Sequence, residues 1–395
     1  MLIRNQYLIV KTFFYLLIFF LAADNSFAQY NLHLNIRSLP VYHVADSIYV
    51  AGNFNGWNPG DKKYMLNRSG DGYSIIISGL KEDIYEFKFT RGDWKRGEIN
   101  ATGSGRQNRI VKLSSDTSID FSIEGWTDDF AQNPRQHTAS SNVKVMDTTF
   151  FIPQLYRTRR IWIYLPPGYA TGKKKYPVLY MHDGQNIFDD YTSGYGEWGV
   201  DECLDSMINK GKPATIVVSI DNGPKRVNEY NPYDNTEYGQ GEGEEYVSFL
   251  VETLKPYVDK HFRTLPSKEN TFIAGSSLGA LISYYAMLRY PDVFGKGGFF
   301  SPAFWISPQI NQLTDSVGSK ITGQFFFYAG GSESETMIPY MQAIADKLGE
   351  NSNALIYEIT DPAGKHNEQT WRKWFGEFYL WITGNGLSYQ VKTVY

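Results

Sequence analysis

The chain has 395 residues, 42% of them hydrophobic and 20% charged, which is enough apolar material for a large core and enough length for two domains. A formal net charge of −4 excludes a protein that works by neutralising phosphates, so no nucleic-acid partner is expected. A single cysteine, Cys203, excludes an intrachain disulfide and a cysteine-rich zinc site, and no metal or other cofactor is expected.

In chain order, the first segment reads as a signal peptide over 1–28. Arg4 and Lys11 form a basic start, Thr12 to Ala23 is apolar, and Ser26-Phe27-Ala28 offers small residues for cleavage after Ala28. Export to the periplasm or medium follows, with no membrane contact after cleavage; a retained anchor is the competing reading. Residues 29–124 run as short alternating stretches broken by Gly, Asn, Asp and Pro. Ser47 to Gly52, Tyr73 to Ile77 and Tyr85 to Phe89 are examples, and the rhythm predicts a small all-β, immunoglobulin-like sandwich. Residues 125–147 are polar and aperiodic and read as a linker, with His137 solvated there.

From 148 to the C-terminus strands alternate with helices, the pattern of a mainly parallel sheet covered on both faces. Thr148–Phe151 and Arg160–Leu165 read as an antiparallel pair, then Val178–Met181 and Ile216–Ile220 as strands, with a helix over Val200–Lys210 that buries Cys203 as apolar filler. A helix is expected over Glu244–His261, further strands over Gly297–Phe300, Gln324–Tyr328 and Leu355–Ile359, and a last helix containing Trp371, Trp374, Phe375 and Phe378.

The chemistry centres on Thr271 to Ala280, which reads Thr-Phe-Ile-Ala-Gly-Ser-Ser-Leu-Gly-Ala. An apolar run leads into Gly-x-Ser-x-Gly and a helical pattern leads out, the form of a nucleophile elbow that lifts the Ser277 hydroxyl above a sheet. A serine hydroxyl needs a base, and His366 is the one histidine that follows Ser277. It lies in the turn after the last expected strand. The acid belongs after an earlier strand, so Glu333, the first carboxylate past Gln324–Tyr328, ranks ahead of Glu335 and of Asp361. An oxyanion needs two N–H donors: Leu278, directly after the nucleophile, and Gly184 or Gln185 in the turn after Val178–Met181. His182 and Asp183 in that turn lack further ligands for a metal.

Two resemblances follow from these residues. Val50 to Pro59, with Gly52-Asn53-Phe54-Asn55-Gly56-Trp57, and Tyr85 to Arg96, with Trp94, together resemble a starch- and glycogen-binding carbohydrate-binding module. That resemblance implies sugar stacking by Trp94 and Trp57, or a packing appendage to an enzyme. From 148 onward the chain resembles the "putative esterase" (esterase D-like) family of α/β-hydrolases, which includes feruloyl and other carbohydrate esterases, enterochelin esterases and S-formylglutathione hydrolases. The matching pieces are Tyr164 to Tyr169, Met181 to Asn186, Asp221-Asn222-Gly223 with Arg226 and Asn228 to Tyr230, Ala274 to Gly279, Ser301 to Trp305, and Gly364 to Glu368. The resemblance implies an α/β-hydrolase fold, a serine carboxylester hydrolase, and substrate contacts from Trp305, Arg226 and Asp183; for Trp305 a core position is the competing reading. Many relatives carry another Gly or a Met near the elbow and an Asp as the acid, where this chain has Ser-Leu-Gly and a glutamate. The expected substrate is a glycan-linked ester, feruloyl or acetyl. A siderophore lactone and, in another class, a glycan-binding protein with a vestigial hydrolase domain are the alternatives. The oligomeric state is open.

Overall fold

A computed structural model describes residues 28–395 apart from 41–42, 44, 71, 102–105, 107, 130–135, 237, 385–389 and 394–395. The expected signal peptide lies outside the described residues except for Ala28. The chain divides into two compact units, Met1–Pro134 and Arg135–Tyr395.

In the first unit, β1 (Tyr30–Ser38), β3 (Asn67–Ser69), β4 (Gly72–Leu80) and β8 (Thr117–Ser122) form a sheet in the order β3-β4-β1-β8. A second sheet joins β2 (Tyr49–Gly52), β5 (Asp83–Thr90) and β7 (Arg109–Leu113) in the order β2-β5-β7. The period-two pattern explains how they meet. Tyr73, Ile75 and Ile77 of β4 are buried while Ile76 between them is exposed, and Phe87 and Phe89 of β5 join the same core. The 125–147 linker is shorter than the sequence suggested. Its start, β9 (Gly125–Trp126), pairs with β6 (Glu98–Ile99), and its end lies within β10 (Val143–Ile152). The stretch between is not free either: Thr138 N–H donates to Asp189 at 3.0 Å, Ser140 N–H donates to Asp201 at 2.6 Å, and the His137 ring lies 2.7 Å from Asp189.

The second unit is a nine-stranded sheet. Its strands are β10, β11 (Arg157–Tyr164), β12 (Val178–His182), β13 (Ile216–Ile220), β14 (Thr271–Ser276), β15 (Lys296–Phe300), β16 (Thr322–Gly330), β17 (Asn353–Asp361) and β18 (Gln390–Thr393). Their order is β10-β11-β13-β12-β14-β15-β16-β17-β18. β10 and β11 are antiparallel, as is β11 with β13, and the remaining pairs are parallel. The β10–β11 hairpin turns at residues 153–156, with Tyr156 at φ 49°.

The central strands are apolar at nearly every position because both faces are covered. Val178 and Tyr180 of β12, Ile273 of β14 and Phe325 and Phe327 of β16 face one core. That core is completed by α3 (Gly243–Phe249), α4 (Lys255–His261), α5 (Leu278–Arg289), α6 (Ile310–Val317) and α7 (Met337–Asn351). Leu179, Met181, Phe272, Ala274, Phe326 and Tyr328 face the other, against α1 (Val200–Asn209) and α8 (Glu368–Thr383). A short helix, α2 (Arg226–Glu229), follows β13. Between α3 and α4 the helix widens to a π turn over Leu250–Leu254, directly ahead of Pro256, which has no N–H to give to Glu252. Cys203 is half-buried on α1. Among the described residues no helix is long and apolar enough to cross a membrane.

Candidate active site

Parallel strands end in register, so the loops after β12, β14, β15, β16 and β17 open on one edge of the sheet. Three non-glycine residues adopt a positive φ there: Asp183 at 57°, Ser277 at 57° and Ser301 at 48°. Such conformations cost roughly 1–3 kcal/mol each and gather where geometry matters more than stability. Ser277, with ψ −122°, sits between β14 and α5 and caps the helix. Of the flanking glycines, Gly275 is sterically required and Gly279 is tightly placed. A Cβ on Gly275 would lie 2.7 Å from the Gly279 carbonyl carbon, and a Cβ on Gly279 would lie 3.3 Å from both Asp183 and His182. Ser277 N–H donates to Phe300 O at 2.9 Å, and its carbonyl accepts from Ala303 N–H at 3.1 Å, so the β15 loop is fastened to the elbow. Leu278 and Gly279 open α5, and the first N–H groups of a helix have no intrahelical acceptor.

Glu333 and His366 meet because two loops touch at glycines. A Cβ on Gly330 would lie 2.4 Å from Gly364 O, and Ser332 N–H donates to Gly364 O at 2.9 Å. The result places His366 Nδ1 2.7 Å from Glu333 Oε2. The other carboxylate oxygen accepts from Gly330 N–H at 2.7 Å and from the Ser301 hydroxyl at 2.6 Å. Ser301 in turn accepts from the Trp371 indole N–H at 2.9 Å. The Glu333 carboxylate is buried while the His366 ring is about one-third exposed. Glu335 is exposed on the same loop. Asp361 is committed elsewhere, accepting from Lys373 at 2.8 Å and from Trp374 at 2.9 Å. Among the described residues no hydrogen bond joins Ser277 Oγ to His366.

The turn after β12 begins at Asp183 and continues as a 3-10 turn over Gly184–Asn186. Only glycine fits at 184, since a Cβ would lie 2.8 Å from Asp221 N. Gln185 Oε1 accepts from Asn222 N–H at 3.2 Å, holding the turn against the loop after β13. Asp183 and Arg226, both expected at the substrate, contact each other: Arg226 Nε and Nη2 donate to the carboxylate at 2.6 and 2.8 Å, and Asn222 Nδ2 adds a bond at 2.6 Å. Burial works to raise the Asp183 carboxyl, but the Arg226 charge and these hydrogen bonds outweigh it and hold it below the ordinary carboxylate value. His182 is buried, its Nδ1 3.0 Å from the Tyr246 hydroxyl. Burial, with the Arg226 charge, lowers it to about 4 against the pull of Asp183, so it is neutral at physiological pH. Trp305 is 43% exposed, two residues past the Ala303 N–H that binds the elbow. It is therefore a half-exposed ring on the loop fastened to the elbow, and not core.

In the first unit, Trp94 is 45% exposed on a short turn capped by Asp93, whose Oδ1 accepts from Lys95 N–H at 2.9 Å and Arg96 N–H at 3.1 Å. The Trp57 ring lies 6.3 Å from it at 39°. Among the described residues no group of three or more His, Cys, Asp or Glu side chains could hold a metal.

Sequence reasoning missed the Ser301 and Trp371 links to Glu333, and the buried Glu368, whose Oε1 accepts from Asn186 Nδ2 at 3.2 Å. Ser301 stood in a quoted motif, Ser-Pro at a strand end, but its hydroxyl's target lies one strand away. Glu368 stood two residues past His366, where a helix-starting acid is commonplace.

The family profile described as "Putative esterase" matches residues 152–374, more than half of the 395. The chain belongs to this family. It is thereby a hydrolase of the esterase kind. An uncharacterised protein of Bacillus subtilis, YbbA, is 28% identical over 249 residues, covering 58% of this chain and 94% of that one. An endo-1,4-β-xylanase/feruloyl esterase of Xylanibacter ruminicola is 26% identical over 233 residues, covering 58% of this chain and 30% of its own length. Among solved structures, the enterobactin esterase of Shigella flexneri superposes with a TM-score of 0.50 at 17% identity, over 85% of this chain and 88% of that one.

Proposed function

We propose that the chain is an exported serine carboxylester hydrolase acting through an acyl-enzyme on glycan-linked esters, of the feruloyl or acetyl kind. The observation that carries the serine mechanism is the 2.7 Å contact of Glu333 with His366, made on the sheet edge where the strained Ser277 also lies. In this reading Ser277 Oγ attacks the ester carbonyl and His366 Nε2 takes its proton. The carbonyl oxygen becomes an oxyanion held by the N–H groups of Leu278 and of Gln185 or Gly184. His366 returns the proton to the departing alcohol, then activates the water that releases the acid. Glu333 holds the imidazole orientation and balances its transient charge.

Two features support a glycan ester. Trp305 offers an exposed ring, on the loop that Ala303 fastens to the elbow, for a sugar or aryl face. In the first unit, Trp94 and Trp57 present a paired aromatic surface of the sort a carbohydrate-binding, immunoglobulin-like module would use. The relative from Xylanibacter ruminicola joins feruloyl esterase to xylanase in its name. A siderophore lactone is the second reading, favoured by the enterobactin esterase, whose match reaches 85% of this chain and so extends beyond the second unit.

A panel of methyl ferulate, acetylated xylan and enterobactin tests the substrate. Turnover of either of the first two well above enterobactin supports the glycan ester, and the reverse order overturns it. In an affinity gel with soluble starch, glycogen or xylan, the full chain is expected to be retarded and W94A to run freely. Equal mobility of W94A and wild type on a retarding glycan removes Trp94 from the contact.

A further inference from the structure

Glu368 opens α8 two residues after His366 and is buried, although an acid at a helix start is normally solvated. Its Oε1 accepts from Asn186 Nδ2 at 3.2 Å. Asn186 ends the turn that carries Gly184 and Gln185, and each of its polar groups is engaged. Its N–H donates to Asp183 O at 2.8 Å, its carbonyl accepts from Trp198 N–H at 2.8 Å, and its Oδ1 accepts from Gly194 N–H at 3.0 Å. Glu368 is thus the buried link from the histidine loop to the oxyanion turn, and it reaches that turn through the residue that immobilises it.

We propose that Glu368 is a positioning residue for the esterase reaction, fastening the His366 loop to the oxyanion turn through Asn186 so that base and oxyanion donors hold one geometry. The inference rests on the serine-esterase reading of the site. The charged groups facing Glu368 are Asp183 of the oxyanion turn and Arg226 of α2; on its own helix Arg372 is engaged with Glu197 at 3.1 Å. Burial first, and then the Asp183 charge, push the Glu368 carboxyl up to about 7, against its own backbone N–H, Arg226 and the Asn186 bond. The link therefore changes charge near neutral pH. The ionised form accepts the stronger, charge-assisted bond from Asn186, so the turn tightens as Glu368 loses its proton to solvent.

The test is steady-state kinetics of p-nitrophenyl acetate hydrolysis across pH by wild type, S277A, E368A, E368Q, N186A and E368A/N186A, with circular dichroism of each. E368A and N186A are expected to lose about 10- to 100-fold in kcat with KM within about twofold. The double variant should lose no more than the worse single one, because both break one link. E368Q keeps an acceptor for Asn186, so it should restore most of the kcat that E368A loses. Losses that add in the double variant, or an E368Q as slow as E368A, overturn the proposal while leaving the serine reading intact if S277A is inactive. Wild-type turnover by S277A overturns both.

Discussion

Glu333 is held by three donors, and one of them, the His366 ring, is what distinguishes it from Asp361 and Glu335. Gly330 N–H and the Ser301 hydroxyl fix one oxygen, which leaves the other aimed at His366 Nδ1. Removing the charge while keeping the shape tests that role. E333Q is expected to lower kcat by about 10²- to 10⁴-fold with little change in KM, because the amide favours the wrong histidine tautomer. E335A should keep wild-type kinetics, being exposed and outside the network. Matched losses in the two variants would remove Glu333 from the mechanism. The strained turn at Ser277 and the meeting of His366 with a carboxylate were readable in the sequence because an elbow has a fixed spacing and one histidine follows it. The choice of Glu333 needed only the position of a strand end. Ser301 and Trp371 were not readable: their hydrogen bonds run between residues 32 and 70 positions apart, set by which strands are neighbours. Nor was the Asp183–Arg226 pair, which gives two expected substrate contacts an internal role.

The elbow is the element whose local sequence and geometry agree most closely. Its glycines make a stability prediction independent of catalysis. G275A forces a Cβ to within 2.7 Å of backbone at Gly279, where no side chain can yield, so a loss of about 1–3 kcal/mol is expected in urea unfolding. G194A, whose Cβ would meet nothing within 4 Å, should unfold with wild type. Equal midpoints for the two variants would show that the close approach carries no energy. Strands with apolar residues on both faces were legible as continuous runs; Ile216–Ile220 kept its expected limits and the others grew by one or two residues at one or both ends. The π turn at Leu250–Leu254 and the strand Gln390–Thr393 were not foreseen. A helical period does not encode a one-residue widening. A four-residue strand at a sheet edge reads as tail until its partner β17 is known. The assumed linker failed for a related reason: polar residues at 137–142 look solvated, but they bond to acids on the loop and helix after β12.

Across the whole chain the buried acids set how stability varies with pH. Glu358 is 4% exposed on β17, and burial together with the Asp346 charge raises its carboxyl to about 7 from 4.5. The folded chain therefore keeps a proton that the unfolded chain releases. No penalty exists below about 4.5; it grows through the interval and is complete above about 7, on the order of 1–3 kcal/mol. E358Q removes it, so this variant should melt higher than wild type at pH 8 and together with it near pH 4.5. An offset of the same size at both pH values would assign the effect to packing and not to ionisation.

Covalent capture of the acyl-enzyme tests the catalytic reading most directly. Rapid mixing of wild type with p-nitrophenyl acetate, acid quench and peptide mass mapping should find one acetyl group per chain on the peptide bearing Ser277, forming far more slowly in H366A and missing from S277A. An acetyl group on a different residue, or unchanged turnover by S277A, rules Ser277 out as the nucleophile.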